Sequence, residues 1–165
     1  ALPISNQDSN DILNVVQNYL KKIEKNKYRF FVNFHPMLDF KSLKNNNEII
    51  KKHVKVIYGG FNKIYDKFDC VVSNSSSICV EALALSKPVV IVQNSISFTQ
   101  NPISMISKDT WKFVKNEKDL QKALEDLLQK KQKKFYYKNS RFIKNEYFSK
   151  IDKKKIIKFL GLEQK

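Results

Sequence analysis

The chain has 165 residues and a mass of 19.4 kDa, which suits one domain with a substantial core but not two. Its formal net charge is +15, yet 29 of its 31 basic residues are lysine, whereas nucleic-acid recognition favours arginine. We therefore expect a lysine-rich, solvated surface rather than a nucleic-acid interface. No apolar stretch reaches the length of a membrane span, and the N-terminal residues show no signal-peptide pattern.

The two cysteines point to a reducing compartment. Cys70 and Cys79 fall on predicted core elements, without CxxC spacing and without a histidine cluster nearby. We expect a cytoplasmic protein that holds no structural metal.

Strands and helices alternate along the chain. The hydrophobic pattern predicts an amphipathic helix at 9–25, capped by Asp8 or Ser9, and a well-patterned helix at 117–130. The other predicted helices lie at 38–52, 61–68, 77–86 and within 135–160. Predicted strands lie at 2–4, 28–34, 54–58, 69–73, 88–92 and 111–114, and 94–106 reads as a loop. This order predicts a Rossmann-like, doubly wound parallel sheet of the α/β class, finished by C-terminal helices.

A serine-rich turn separates two of the predicted buried strands. Asn74, Ser75, Ser76 and Ser77 stand where the following helix begins, and such side chains accept hydrogen bonds from first-turn amides. The crossover of about fifteen residues matches a βαβ unit, which places the turn at the carboxyl end of the first strand. Free amides, hydroxyls and the helix dipole would converge there. The segment indicates an anion site, or else a structural helix cap.

Two further polar features belong to the same edge of the predicted sheet. His35 and Pro36 follow the second strand. A histidine there can donate to a phosphate oxygen and, as imidazolium, would offset the negative charge that builds on a leaving phosphate. Glu81 lies about one turn into the helix after the serines, where a carboxylate can accept hydrogen bonds from ribose hydroxyls. The alternatives are a half-buried loop histidine and an ordinary surface glutamate. His53 has no comparable context.

The order of these motifs resembles the C-terminal, nucleotide-sugar-binding half of GT-B glycosyltransferases. The matching features are strand-His-Pro, the turn Tyr58-Gly59-Gly60-Phe61, and Asp-x-Val-Val-x-Asn-Ser-Ser-Ser-x-x-x-Glu-Ala-Leu-Ala-Leu-x-Lys-Pro-Val at 69–89. The chain is especially similar to bacterial surface-polysaccharide enzymes with paired HP and SS motifs. These include CMP-sugar-using sialyl- and Kdo-transferases and the polyol-phosphate polymerases of teichoic acid synthesis. The resemblance covers about residues 2–114.

The resemblance implies roles for the matching residues. His35 would stabilise the leaving phosphate and Glu81 would bind the ribose. The other donor-binding residues that it implies are Pro36, Gly59, Gly60, Phe61, Asn74, Ser75, Ser76 and Ser77. The donor would be a CMP-, CDP- or UDP-linked sugar, and transfer would need no metal or other cofactor. Ser86 departs from the family, because many relatives have glycine there.

The resemblance also bears on domain organisation. Residues 1–165 would be a single Rossmann-like domain, one half of a GT-B fold, with a helical segment at about 117–165. The family's general base usually sits in an N-terminal acceptor domain, which we do not expect within these 165 residues. We expect this half to bind a donor nucleotide but not to catalyse the transfer reaction by itself. Its partners would be that missing domain and a glycan or lipid-linked acceptor.

Two other functions fit parts of the sequence. A nonhydrolysing UDP-N-acetylglucosamine 2-epimerase shares the architecture, although its turn is Asp-Ser-Gly-Gly-like. A basic module for nucleic acid or a membrane surface would use the excess charge, since residues 108–165 carry 18 basic and 8 acidic side chains. The aromatic residues within 135–148 either pack on the sheet, which we favour, or lie on anionic lipid at the inner face of the cell membrane.

Overall fold

The computed structural model describes residues 2, 5–22, 28–33, 35, 52–57, 60–74, 76–96, 98–128, 133–148 and 152. Its strands are β1 (Phe30–Asn33), β2 (Val54–Ile57), β3 (Val71–Ser73), β4 (Val89–Val92) and β5 (Trp111–Val114). Its helices are α1 (Asn6–Lys22), α2 (Phe61–Ile64), α3 (Ile78–Ala84), α4 (Glu117–Leu127) and α5 (Lys133–Tyr147). A 3-10 turn at Tyr65–Lys67 follows α2.

All the described strands pair in parallel. β1 pairs with β2, with Phe30 opposite Val54. β4 lies between β3 and β5, with Val89 opposite both Val71 and Trp111. The described strands form a two-stranded sheet, β1-β2, and a three-stranded sheet, β3-β4-β5. α2 lies between β2 and β3 along the chain, and α3 connects the parallel strands β3 and β4, so the fold is α/β and Rossmann-like, as the alternation of elements predicts.

β4 is covered by helices on both faces. All four of its residues are completely buried, and they alternate between two core clusters. Val90 and Val92 pack with α1 and α4, whereas Val89 and Ile91 pack with α3 and α5. A continuous β-branched run therefore suits this strand better than an alternating pattern, because neither face meets water.

A cavity of about 330 Å³ lies between β1 and β3. Its lining is mostly apolar and includes side chains from both strands, from α1 and from α4. Leu2, from the predicted first strand, lines this cavity and donates its N–H to the carbonyl of Asn33 at 2.9 Å. The rest of that predicted strand, residues 3 and 4, lies outside the described residues.

The structure corrects the predicted start of α1. The helix begins at Asn6, and the hydroxyl of Ser5 accepts a hydrogen bond from the N–H of Asp8 at 3.3 Å. Neither Asp8 nor Ser9 caps the helix, because both already lie in its first turn. α4 begins as predicted, since Asn116 accepts hydrogen bonds from the amides of Lys118 and Asp119, each at 3.0 Å.

Other predicted elements differ in length or lie outside the description. α3 has seven residues rather than the ten predicted, and Cys70 directly precedes β3 instead of lying within it. The predicted helix at 38–52 falls almost wholly outside the described residues, as does the chain after residue 148 apart from residue 152. Within the described ranges, no helix has both the length and the apolar character that crossing a bilayer requires.

Candidate functional site

The carboxyl ends of β1 and β4 lie on the same edge of the fold. Leu2 is hydrogen-bonded to Asn33, the last residue of β1, and Ser5 is three residues further along the chain. Three residues span at most about 11 Å, so the start of α1 stays close to the end of β1. The first turn of α1 in turn contacts the loop after β4, where Asn94 donates its side-chain amide to Asp8. Because β3 pairs in parallel with β4, its carboxyl end belongs to this edge too.

The predicted motifs at His35 and at Gly60 lie at this same edge, because they follow the parallel strands β1 and β2. His35 is exposed and stands two residues after β1, and Gly60 is exposed at the start of α2, after β2. Phe61 is buried and stacks on Phe68, with ring centroids 5.9 Å apart. Its side chain belongs to the core, so only its backbone is available to a ligand. Pro36 and Gly59 lie outside the described residues.

The serine turn leads directly from β3 into α3. Asn74 is completely buried, and its carbonyl accepts hydrogen bonds from the N–H of Ser76 at 2.8 Å and from the thiol of Cys79 at 3.3 Å. Ser77 is exposed and Ser76 is half-buried. The hydrogen bonds of Asn74 thus hold the backbone of the turn in place, and the turn presents the hydroxyls of Ser76 and Ser77 at the surface. Ser75 lies outside the described residues.

The first-turn amides of α3 are less available than the sequence suggests. The carbonyl of Ser76 accepts from Cys79 at 3.0 Å, and that of Ser77 accepts from Val80 at 2.9 Å. The amide of Ile78 lies 3.5 Å from the hydroxyl of Ser76, and the side chain of Ser77 caps nothing. The expectation of free amides is therefore wrong for these three residues, because the turn is tight enough to satisfy them locally. Serine hydroxyls, rather than a row of amides, are the groups that a phosphate would meet.

Glu81 is the fourth residue of α3 and is half-buried. Its carboxylate forms no hydrogen bond or ion pair with another side chain in the part of the chain that the structure describes. The two thiols nearby are not suited to nucleophilic chemistry, because burial raises the pKa of Cys79 to about 11 and that of Cys70 to about 12. Both cysteines are free.

A hydrogen-bonded cluster that the sequence reading missed joins α1 to the loop after β4. The buried carboxylate of Asp11 accepts from the hydroxyl of Ser95 at 2.8 Å and from its N–H at 3.0 Å. Gln7 donates to both Asp11 and Ser95, at 3.1 Å in each case. The signal in the sequence was a set of short polar residues directly after a buried strand, at 93–95, combined with acids early in the first helix.

The pKa of Asp8 reflects its burial and the proximity of a second acidic side chain in this cluster. Burial and the neighbouring charge of Asp11 raise the pKa of Asp8, while hydrogen bonds from Asn94 and Ser5 act in the opposite direction. Two acids so close together disfavour an anion beside them. A phosphate would therefore bind nearer to His35 and Ser76, and sugar hydroxyls would suit the Asp8 and Asp11 side of the edge.

A polar groove of about 410 Å³ borders the Asp11 cluster between α1 and the start of α4. Its lining includes Asn18, Gln93, Lys115 and Glu117. Among the residues that the structure describes, no group of three or more histidine, cysteine, aspartate or glutamate side chains is arranged to hold a metal ion.

Comparison with protein families, with curated proteins and with solved structures found no significant match to this chain.

Proposed function

We propose that this chain is the donor-binding half of a glycosyltransferase. The full enzyme moves a sugar or polyol phosphate from an activated nucleotide to a surface-polysaccharide or lipid-linked acceptor. The observation that carries the proposal is the position of His35, two residues after β1, and of the serine turn, which follows β3, at one edge of a parallel α/β fold. In such folds that edge is where ligands bind.

The proposed chemistry is stabilisation of the leaving phosphate. The imidazole of His35 and the hydroxyls of Ser76 and Ser77 donate hydrogen bonds to phosphate oxygens as negative charge develops on the nucleotide. Glu81 accepts hydrogen bonds from the ribose hydroxyls, and the backbone at Gly60 lies beside the base. Removing one such donor typically costs about 2.7 to 4 kcal/mol of transition-state stabilisation in enzymes.

A location on the inner face of the cell membrane is part of this proposal. The acceptor of such an enzyme is a surface glycan or a lipid-linked precursor, and the net charge of +15 favours anionic surfaces.

A nucleotide panel tests the proposal. Thermal unfolding should be followed with CMP, CDP, UDP and GDP at millimolar concentration, where a nucleotide at 100 times its Kd stabilises the fold by about 2.7 kcal/mol. We expect at least one nucleotide to raise the Tm. If none does so, and none changes the amide spectrum, the nucleotide site is absent and the proposal fails.

Matched variants locate the binding. His35→Ala and Ser76→Ala should each weaken nucleotide binding about tenfold or more, since a charge-assisted hydrogen bond contributes about 1.5 to 3 kcal/mol. Together they should abolish binding without unfolding the chain. The controls are His53→Ala, an exposed histidine before the amino end of β2, and Ser104→Ala in an exposed turn. Equal losses in the controls would contradict the assignment.

A further inference from the structure

The rotation of α5 about its own axis is fixed by three inward contacts. The hydroxyl of Tyr136 donates to the carbonyl of Leu127, the hydroxyl of Ser140 donates to the carbonyl of Ala84 at 2.7 Å, and Ile143 is completely buried. These residues recur at a spacing of four and then three, which defines one helical face. The opposite side of the helix is thereby turned toward solvent.

One flank of the solvent-facing side carries two basic side chains between two aromatic ones, all of them exposed. Tyr137, Arg141, Lys144 and Phe148 follow one another at spacings of four, three and four, so they form a single stripe. The N–H of Phe148 donates to the carbonyl of Lys144 at 3.2 Å, which continues the helical pattern to the end of the stripe. Tyr137 is 70% exposed and Phe148 is 48% exposed.

Neighbouring residues widen the stripe into a face. Lys138 and Phe142, four residues apart, form a second exposed row about 100° around the helix from Tyr137 and Arg141, and Phe142 is 55% exposed. Several exposed rings on one side of a helix are more typical of an interaction surface than a single exposed ring is. We call this surface, made of Tyr137, Lys138, Arg141, Phe142, Lys144 and Phe148, the outward face of α5.

We propose that the outward face of α5 binds the surface of an anionic lipid bilayer. The rings enter the interfacial layer while the lysine and arginine side chains meet lipid phosphates, which is the arrangement of helices that lie in a membrane interface. Charge complementarity selects this partner over an apolar protein groove, because Lys138, Arg141 and Lys144 stand among the rings. The inference rests on the membrane location within the proposed function but not on the nucleotide site.

A second exposed apolar region provides a comparison. Ile96, Phe98 and Met105 are 79%, 89% and 90% exposed in the loop after β4. Residues 94–107 contain no charged side chain, so this loop lacks the electrostatic attraction that the outward face of α5 has. It should therefore contribute little to recognition of anionic lipid.

Vesicle sedimentation with the full chain tests the inference. We expect binding to vesicles of phosphatidylcholine with about one-third phosphatidylglycerol, no binding to pure phosphatidylcholine, and release as salt is raised. Arg141→Glu with Lys144→Glu should lower the partition coefficient about tenfold or more. Lys118→Glu with Lys122→Glu, on exposed positions of α4, makes the same change in net charge and should lower it much less.

Substitutions of the exposed aromatic residues distinguish insertion of the rings into the bilayer from a general effect of the protein's net charge. Tyr137→Ser with Phe148→Ser should weaken vesicle binding severalfold, whereas Phe98→Ser with Met105→Ser should leave it unchanged. Equal effects of the α4 and α5 charge reversals would overturn the proposal, as would a larger effect of the loop variant. So would loss of single-stranded DNA binding, rather than vesicle binding, in the Arg141 and Lys144 variant. Nucleotide-induced changes in Tm should persist in every variant, which keeps this test independent of the donor site.

Discussion

Lys87 donates its backbone N–H to the carbonyl of Ala82 at 2.8 Å, five residues earlier, and so closes the C-terminus of α3. Ser86 donates to Leu83 at 3.0 Å, which completes the paired hydrogen bonds of a Schellman motif. Such a motif requires a left-handed residue, and Ser86 has a φ of 60°. Glycine would adopt this left-handed conformation without a steric cost.

Replacing Ser86 by glycine should therefore stabilise the fold. A non-glycine residue in the left-handed region costs about 1 to 2 kcal/mol, and the greater freedom of glycine in the unfolded chain offsets part of this gain. We expect Ser86→Gly to raise the free energy of unfolding by about 0.5 to 1 kcal/mol, measured by urea denaturation. Ser77→Gly is the matched control, because Ser77 has a right-handed φ of −55° and glycine there should destabilise. Destabilisation by Ser86→Gly would contradict the account of this helix end.

Most of the fold was predictable because its signals are local. The apolar run at 88–92 predicts β4 to within one residue, and burial of that strand on both faces explains why the run is continuous. The start of α1 was not predictable in the same way. Ser5, Asp8 and Ser9 can all act as caps, and the choice depends on where the chain leaves the preceding strand.

The site was only partly predictable for a related reason. Sequence order places His35 and Ser76 after strands, and that part is predictable. β1 and β3 belong to different sheets, so the common edge depends on the contacts of Leu2 with Asn33 and of Asp8 with Asn94, which are not local in the sequence. The contact of Asp11 with Ser95 joins residues 84 positions apart, and no local pattern predicts it. The occupied first-turn amides of α3 depend on how tightly residues 74–77 turn, which residue types alone do not determine.

The Asp11 cluster should be energetically coupled. Ser95→Ala removes one hydrogen bond and should cost about 0.5 to 1.5 kcal/mol, and Asp11→Ala removes the shared acceptor and should cost about 1.5 to 3 kcal/mol. A double-mutant cycle measured by urea unfolding should give a coupling energy above about 0.5 kcal/mol. Strictly additive effects would show that the two residues do not interact in solution.

Asp8 should make stability depend on pH in the acidic range. Its pKa is raised in the folded state, so the folded chain holds this proton more tightly than the unfolded chain. The stabilising contribution is complete below the ordinary aspartate pKa of 3.8 and is lost as the pH rises through the folded value. Asp8→Asn keeps an acceptor for Asn94, so its stability relative to wild type should grow between pH 4 and pH 7. A difference that stays constant over this range would contradict the burial of Asp8.

Alkaline conditions should destabilise the fold through buried tyrosines. Burial raises the pKa of Tyr19 and of Tyr136 from 10.0 to about 12. The folded chain retains these protons longer than the unfolded chain, so stability is complete below pH 10 and falls toward pH 12. Tyr19→Phe should reduce this slope by up to about 1.4 kcal/mol per pH unit, measured by urea unfolding. Tyr137→Phe, at a 70% exposed position, is the control, and an equal reduction there would contradict the assignment.

Amide chemical shifts measured during a nucleotide titration test the central claim most directly. The ¹⁵N–¹H spectrum of the full chain should be followed as the best nucleotide of the panel is added. We predict that the largest changes cluster at His35, at Gly60 and along residues 74–80, with little change at His53 or along the outward face of α5. Changes confined to the lysine-rich helices, or no saturable change at millimolar nucleotide, would contradict a donor site at the carboxyl ends of β1 and β3.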